Sequence, residues 1–136
     1  MKTVILCGGQ GTRIRDVSEH IPKPMISIGH LPILWHLMKY YATFGYQSFV
    51  LCLGYKGQVI KDFFINYEMN TRDFTVTLGC EKKLEFHTLH QEDNWQVTLA
   101  ETGLDTMTGG RVQKIKQYVL DDDNFFLTYG DGLGNI

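Results

Sequence analysis

Three short apolar runs lie along the chain, and a glycine-containing segment follows each of them. The runs are Thr3–Cys7, Ser48–Leu53 and Phe125–Tyr129. An unbroken apolar run, without alternation of polar and apolar positions, is typical of a strand that is covered on both faces in a parallel sheet. The pattern therefore predicts three strands of one parallel sheet, each ending next to glycine.

Apolar residues recur at helical spacing in the segments between these runs. The spacing predicts helical faces over 33–44, 59–67 and 112–119. Pro32 suits the first turn of the first helix, Gly45 supplies its stop, and the third helix is expected to follow Gly109-Gly110.

The region 74–101 has a different pattern, in which polar and apolar positions alternate over 74–78, 84–87 and 97–100. Such alternation predicts short strands or hairpins. The whole order is strand, helix, strand, helix, inserted hairpins, helix, strand. This order predicts an α/β fold with a mostly parallel sheet and an inserted β-hairpin region.

Composition narrows the class of protein. The chain has 136 residues, of which 43% are hydrophobic and 21% charged, and its net charge is -2. That apolar share is far above what a disordered chain carries, and the length is that of one domain. With no excess of positive charge and no apolar run of about 20 residues, neither a nucleic acid nor a membrane is expected as a partner.

The cysteines give information about the compartment. Cys7, Cys52 and Cys80 are odd in number and far apart, and no pair has the CxxC spacing of a zinc site. We therefore expect three buried free thiols and a cytoplasmic location.

The glycine segments carry a functional prediction. In a parallel sheet the carboxyl ends of all strands lie at one edge, where open α/β folds bind ligands. The segments Gly8–Arg13, Gly54–Gly57 and Gly130–Gly132 each follow one of the predicted strands. We expect them to converge on one crevice.

The segment from Leu6 to Arg13 is the strongest candidate for a phosphate site. Its glycines allow a tight turn and bring backbone amides close to phosphate oxygens, and Arg13 adds a forked cation. The spacing is neither the dinucleotide fingerprint GxGxxG nor the Walker pattern, which ends in Gly-Lys-Ser/Thr. An ordinary strand-to-loop turn is the alternative.

Two further side chains are candidates for a catalytic or metal-binding role. Lys23 lies between Pro22 and Pro24, which stiffen the backbone around one long cation. Asp131 lies between two glycines directly after the last strand, where a carboxylate with little steric cover can hold magnesium. A solvated surface lysine and a plain Asp-Gly turn are the alternatives.

Taken together, these motifs resemble the sugar-nucleotide pyrophosphorylases, which are nucleotidyl transferases acting on sugar 1-phosphates. The resemblance rests on Gly8–Arg13, Pro22–Met25 and Tyr129–Asp131. The segments 32–36, 54–57, 108–111 and 129–132 are most similar to the branch that transfers cytidylyl groups to glucose 1-phosphate. The resemblance covers essentially the whole chain and implies a three-layer αβα Rossmann-like fold.

The resemblance also implies roles for individual residues. Its nucleotide-binding residues would be Leu6, Gly8, Gly9, Gly11, Thr12, Arg13, Thr108, Gly109 and Gly110, the last three near the cytosine. Arg13, Lys23 and Asp131 would be catalytic. Lys23 would bridge the phosphates of both substrates, and Asp131 would hold Mg²⁺. The implied partners are CTP, glucose 1-phosphate and further copies of the chain in a homo-oligomer.

In that family the catalytic domain extends beyond a length of this kind. By the resemblance, residues 1–136 correspond to the N-terminal, nucleotide-binding part of the domain, and the C-terminal half of the family fold is absent. The Glu-Lys-Pro motif that binds the sugar phosphate does not occur in the sequence. Three functions stay open: CDP-glucose formation, nucleotide binding without catalysis, and a related pyrophosphorylase that uses UTP, dTTP or GTP.

Overall fold

The computed structural model describes residues 1–8, 22–87, 94–103, 108–120 and 124–130. Its elements are few and short, and we number strands and helices in chain order. The strands are β1 (Thr3–Leu6), β2 (Ser27–Ile28), β3 (Leu31–Pro32), β4 (Ser48–Leu53), β5 (Phe74–Thr77), β6 (Lys83–Phe86), β7 (Gln96–Glu101) and β8 (Phe126–Tyr129). The α-helices are α1 (Ile33–Ala42), α2 (Gly57–Ile65), α3 (Tyr67–Thr71) and α4 (Thr108–Lys114), and 3-10 turns cover Lys23–Met25 and Lys116–Tyr118.

The main sheet is parallel and has the order β7-β4-β1-β8. In its register Val4 lies opposite Val50 on one side and Leu127 on the other. The three predicted core strands are confirmed as neighbours in this sheet. The sheet has a further member, because β7, which we grouped with the hairpins, pairs in parallel with β4. Its alternating pattern fits an edge strand, in which three of the six residues are half-buried and two are exposed.

Helices cover both faces of the sheet, which confirms the three-layer prediction. Since successive side chains of a strand point to opposite faces, β1 and β4 supply both cores. On one face Ile5 and Leu51 pack with α1 and α2, in the cluster Ile5, Cys7, Leu34, Leu37, Met38, Phe49, Leu51, Leu53 and Ile60. On the other face the cluster is Val4, Leu6, Val50, Cys52, Ala100, Ile115 and Val119, which includes residues after α4.

The inserted hairpin is confirmed between β5 and β6, which pair antiparallel with Phe74 opposite Phe86. Most of its side chains are exposed. Cys80 lies in the turn of this hairpin and is exposed, so the prediction of three buried thiols was wrong for this residue. A two-stranded ribbon that is not covered by a helix leaves little apolar volume in which to bury its turn.

Two helix boundaries differ from the predicted ones. The helix predicted at 59–67 is divided at Asn66 into α2 and α3. Helix α4 begins at Thr108, so Gly109 and Gly110 lie in its first turn and do not precede it. Among the helices of the described residues, none has the length and apolar character needed to cross a membrane.

Candidate functional site

The strand order of the main sheet reverses at β1, and the carboxyl edge beside this reversal is the place for which we predict a crevice. From β1 the sheet continues through β4 to β7 on one side and to β8 on the other. Open α/β sheets bind ligands at such a reversal, outside the carboxyl ends of the strands. Gly8 follows the end of β1, and the Gly130 amide after β8 donates to the Leu6 carbonyl at 3.0 Å.

The loops after β1, β4 and β7 lie against one another at this edge. The backbone amide nitrogen of Tyr55 lies 3.5 Å from the Gly8 carbonyl oxygen. A Cβ atom added to Gly54 would lie 2.9 Å from that oxygen and 2.7 Å from the Gly103 carbonyl oxygen, too close for any real side chain. Gly54 is therefore needed because the three loops approach so closely.

A buried guanidinium joins these loops. The Nη2 atom of Arg111 donates to the Gly8 carbonyl at 3.0 Å, and Nη1 donates to Thr102 Oγ1 at 2.7 Å and lies 3.4 Å from the Leu53 carbonyl. Arg111 is 5% exposed, although arginine is almost never buried without partners. Because its two terminal nitrogens point in different directions, one side chain can hold acceptors from separate loops.

Thr102, which directly follows β7, completes this arrangement. Its amide and its hydroxyl both donate to the Leu53 carbonyl, at 2.9 and 2.7 Å, and its own carbonyl accepts from Lys114 Nζ at 3.1 Å. We call Arg111, Thr102 and the carbonyls of Gly8 and Leu53 the Arg111 clamp. Sequence reasoning included Arg111 in the Thr-Gly-Gly-Arg segment without giving it a role, and it passed over Thr102.

The clamp affects a neighbouring thiol. Burial raises the pKa of Cys52 from 9.0 to about 11, while the positive charge of Arg111 acts in the opposite direction. Cys52 therefore keeps its proton at neutral pH and behaves as an apolar core residue, in agreement with the prediction for this cysteine.

Packing contacts dominate on the other side of the Gly8 loop, next to β8. Pro22 and Pro24 are buried and Lys23 between them is half-buried. A Cβ added to Gly130 would lie 3.1 Å from both Cys7 Sγ and Pro24 Cγ. Pro24, which directly follows Lys23, is thus packed against the end of β8.

The other predicted site residues fall into two groups. Gly9, Gly11, Thr12, Arg13 and Asp131 lie outside the described residues. Thr108, Gly109 and Gly110 form the start of α4, three residues or fewer from Arg111, and a Cβ at Gly109 would meet open space.

The predictions for Leu6 and for the metal ligand remain to be compared with the structure. The Leu6 side chain packs in the core, and its backbone carbonyl accepts a hydrogen bond from the Gly130 amide. No group of three or more His, Cys, Asp or Glu side chains suited to a metal occurs within the described ranges. Asp131 remains the predicted magnesium ligand.

Comparison with known proteins defines the class. The family profile described as nucleotidyl transferase matches residues 2–82, which is more than half of the chain. The chain therefore belongs to the nucleotidyl transferase family, as the motifs predicted.

Relatives within the family point to one branch. The chain is 48% identical, over its whole length, to a protein of Bacillus subtilis named as a probable glucose-1-phosphate cytidylyltransferase. It is 47% identical to the glucose-1-phosphate cytidylyltransferase of Salmonella typhimurium. The chain covers 52% of each of these proteins, so it spans about half the length of the relatives it matches.

Solved structures confirm the fold. HddC from Yersinia pseudotuberculosis complexed with GMP-PN superposes with a TM-score of 0.66 at 30% identity, covering 96% of this chain and 47% of HddC. A UDP-glucose pyrophosphorylase complexed with UDP-glucose also gives a TM-score of 0.66, at 15% identity over 96% of this chain and 45% of its own length. The second likeness concerns the fold alone.

Proposed function

We propose that this chain binds CTP at the carboxyl edge of its sheet and takes part in cytidylyl transfer to glucose 1-phosphate. The observation that carries the proposal is the position of Gly8 and Gly130 just after β1 and β8, the two neighbouring strands at the reversal of strand order. The cytidylyltransferase relatives, matched over the entire chain, support the choice of nucleotide and sugar phosphate.

The proposed reaction is an in-line displacement at phosphorus. A phosphate oxygen of glucose 1-phosphate attacks the α-phosphorus of CTP, and the bond from that phosphorus to the oxygen bridging to the β-phosphate breaks. The products are CDP-glucose and pyrophosphate. This chemistry needs the positioning of two anions that repel each other and cations where charge develops on the leaving group.

The residues divide these tasks. Gly8, Gly9, Gly11 and Thr12 would surround the phosphates with backbone amides, and Arg13 would add a forked cation. Lys23, held by its two prolines, would bridge the phosphates of both substrates. Thr108, Gly109 and Gly110 would lie near the cytosine, at the side of the crevice occupied by the start of α4.

Asp131, which directly follows Gly130, would hold Mg²⁺. A carboxylate oxygen is the ligand type that Mg²⁺ prefers, and a bound ion would neutralise charge on the phosphates. The predicted homo-oligomer and the cytoplasmic location stay predictions.

Pyrophosphate release tests the proposal directly. CTP, glucose 1-phosphate and Mg²⁺ are mixed with the chain, and omission of the sugar phosphate is the control. Release that depends on both substrates is expected. CTP binding in the presence of Mg²⁺ with no release above this control would favour nucleotide binding without catalysis.

Competition tests the choice of base. Unlabelled UTP, dTTP and GTP are titrated against labelled CTP, and CTP itself is the reference competitor. We expect each of the three to compete at least about ten-fold more weakly than CTP, which corresponds to about 1.4 kcal/mol. Equal displacement by UTP would contradict the assignment of cytosine.

Substitution of Lys23 tests its predicted role. Lys23→Ala should weaken CTP binding by about ten-fold or more, because a charge-assisted hydrogen bond to phosphate is lost. Lys39→Ala, on α1, is the control for the loss of one positive charge. An unchanged affinity in Lys23→Ala would make Lys23 a surface residue.

A further inference from the structure

The hairpin formed by β5 and β6 has one apolar side. In its antiparallel register Phe74 lies opposite Phe86, and Val76 lies opposite Leu84. Residues paired across two strands point to the same side of the ribbon, and so do residues two positions apart along one strand. One side therefore carries four apolar side chains, which we call the hairpin face: Phe74, Val76, Leu84 and Phe86.

The opposite side of the ribbon is polar. Thr75 pairs with Glu85, and Thr77 pairs with Lys83. The Thr75 hydroxyl also lies 2.7 Å from Nε2 of His87. An antiparallel ribbon with this division of side chains is typical of one that is covered on its apolar side and meets water on the other.

The chain leaves most of the hairpin face open. Phe74, Val76 and Leu84 are 38%, 39% and 44% exposed. Phe86 is half-buried, with the Phe74 ring centroid at 5.6 Å and the Arg72 guanidinium at 5.1 Å from its own centroid. A two-stranded ribbon is marginally stable in water unless a further strand or a helix covers its apolar side. A cover for the hairpin face must therefore come from another molecule.

The charges around the hairpin indicate what kind of molecule this is. The segment 72–86 has three positive and three negative side chains, which are Arg72, Lys82, Lys83, Asp73, Glu81 and Glu85. A nucleic acid or an anionic membrane attracts an excess of positive charge, which this segment lacks. Both signs occur at the base of the hairpin and at its turn. A second copy of the hairpin therefore meets opposite charges at both ends, in whichever direction it lies.

We propose that the hairpin face is an interface with a second copy of this chain, in which the two apolar faces pack together across a two-fold axis. Such an interface uses the same patch on both copies, so each face supplies the cover that the other lacks. Four side chains bury less than the roughly 800 Å² a side of a standard interface, so we expect reversible association of moderate affinity. The inference is independent of the proposed nucleotide chemistry, and its tests use no nucleotide.

Opposite charges placed on the hairpin face test the contact. Leu84→Lys and Leu84→Glu are made, and sedimentation equilibrium gives the dissociation constant for self-association of the original chain, of each variant and of an equal mixture of the two. Each variant alone should associate about ten-fold more weakly or worse than the original chain, because like charges face each other. The mixture should associate at least about ten-fold more tightly than either variant, because Lys then faces Glu.

The matched control uses an exposed leucine outside the hairpin. Leu120, which is 65% exposed, is changed to Lys and to Glu in the same way, and neither variant should differ from the original chain. Three results would overturn the proposal: an original chain that stays monomeric at all concentrations, Leu84 variants that behave like the Leu120 variants, or a mixture no tighter than its components.

Hydrogen exchange provides a second test without any substitution. The His87 amide donates to the Asp73 carbonyl at 2.9 Å at the base of the hairpin, and the Thr102 amide donates to the Leu53 carbonyl in the main sheet. Raising the concentration of the chain to about ten times its dissociation constant should slow exchange at His87 about ten-fold and leave Thr102 unchanged. Exchange at His87 that does not depend on concentration would contradict the interface.

Discussion

The segment Cys7-Gly8, which follows β1, has neighbours of two different kinds. Toward β4 and β7 its carbonyl is part of a buried polar network, in which Arg111 and Thr102 satisfy backbone acceptors from two strand ends. Toward β8 its neighbours are packed by shape, with Pro24 and Cys7 against Gly130. A polar network depends on the direction of each donor, whereas packed surfaces can give way by a few tenths of an ångström. The first side should therefore be less tolerant of single changes.

The largest effect is expected from removing the guanidinium. Arg111→Met keeps much of the apolar stem but removes the hydrogen bonds from the guanidinium to the Gly8 carbonyl and the Thr102 hydroxyl, at about 1.5–3 kcal/mol for each bond to a charged group. We expect the free energy of unfolding to fall by about 3 kcal/mol in urea denaturation followed by tryptophan fluorescence. Lys114→Met, which removes the bond from Nζ to the Thr102 carbonyl, should cost about 1 kcal/mol. Equal costs for the two variants would remove the distinction between the clamp and its surroundings.

The two sides can be compared directly by adding one methyl group to a glycine on each side. In Gly54→Ala the methyl meets the Gly8 and Gly103 carbonyl oxygens at under 3 Å, so backbone must move, and we expect a cost of about 3 kcal/mol. In Gly130→Ala the contacts at 3.1 Å are with side chains, and about 1 kcal/mol is expected. The same denaturation experiment measures both. A Gly130→Ala cost equal to or larger than that of Gly54→Ala would reverse the comparison.

The raised pKa of Cys52, which lies near the Arg111 clamp, makes the free energy of unfolding depend on pH. The folded chain holds the thiol proton up to about pH 11, whereas the unfolded chain releases it near 9.0. The unfolded state therefore binds fewer protons between these values, and stability falls as the pH rises through this window. The loss of unfolding free energy that is due to the Cys52 thiol approaches about 2 kcal/mol.

Cys52→Val provides the control for that dependence. The difference in unfolding free energy between the original chain and the variant should be constant at pH 7–8.5 and should shrink or reverse by up to about 2 kcal/mol by pH 11. Subtraction removes the titration of lysines and tyrosines, which both chains share. A difference that stays constant up to pH 11 would contradict the effect of burial on this thiol.

The smallest effect is expected at Gly109, at the start of α4. An added methyl meets open space, and alanine is a better helix former than glycine, so Gly109→Ala should stabilise the chain by about 0.5–1 kcal/mol. Thermal unfolding gives the sign of the change. If CTP affinity falls at the same time, the glycine is needed for the close approach of the nucleotide. The fold itself would then not require glycine at position 109. Destabilisation would show that α4 does not tolerate the methyl group.

The parts of the fold that sequence reasoning predicted are those with local signals. Unbroken apolar runs predicted β1, β4 and β8, and helical spacing predicted α1, because buried strands and amphipathic helices carry their pattern within a few residues. The alternating pattern of β7 resembles that of a hairpin strand, and its parallel pairing with β4 depends on a partner about 48 positions away.

The candidate site likewise has a part that sequence reasoning could predict and a part that it could not. The glycine motif and the proline-bounded Lys23 are readable as candidates because their chemistry lies in consecutive residues. The role of Arg111 is not readable, since its partners Gly8, Leu53 and Thr102 lie 103, 58 and 9 positions away. Conversely, sequence reasoning treated Cys80 in the same way as Cys7 and Cys52. Cys80 is exposed because its hairpin lies outside the core.

By itself the sequence determined the class of fold and the family, and it predicted residues that would bind phosphate, because each depends on short-range patterns of apolar, glycine and charged positions. The tertiary structure alone decided which strands are neighbours, where the strand order reverses and which cation is buried against the Gly8 carbonyl. These depend on contacts between distant segments, and the free energy of such contacts exists only once the sheet has brought the ends of its strands to one edge.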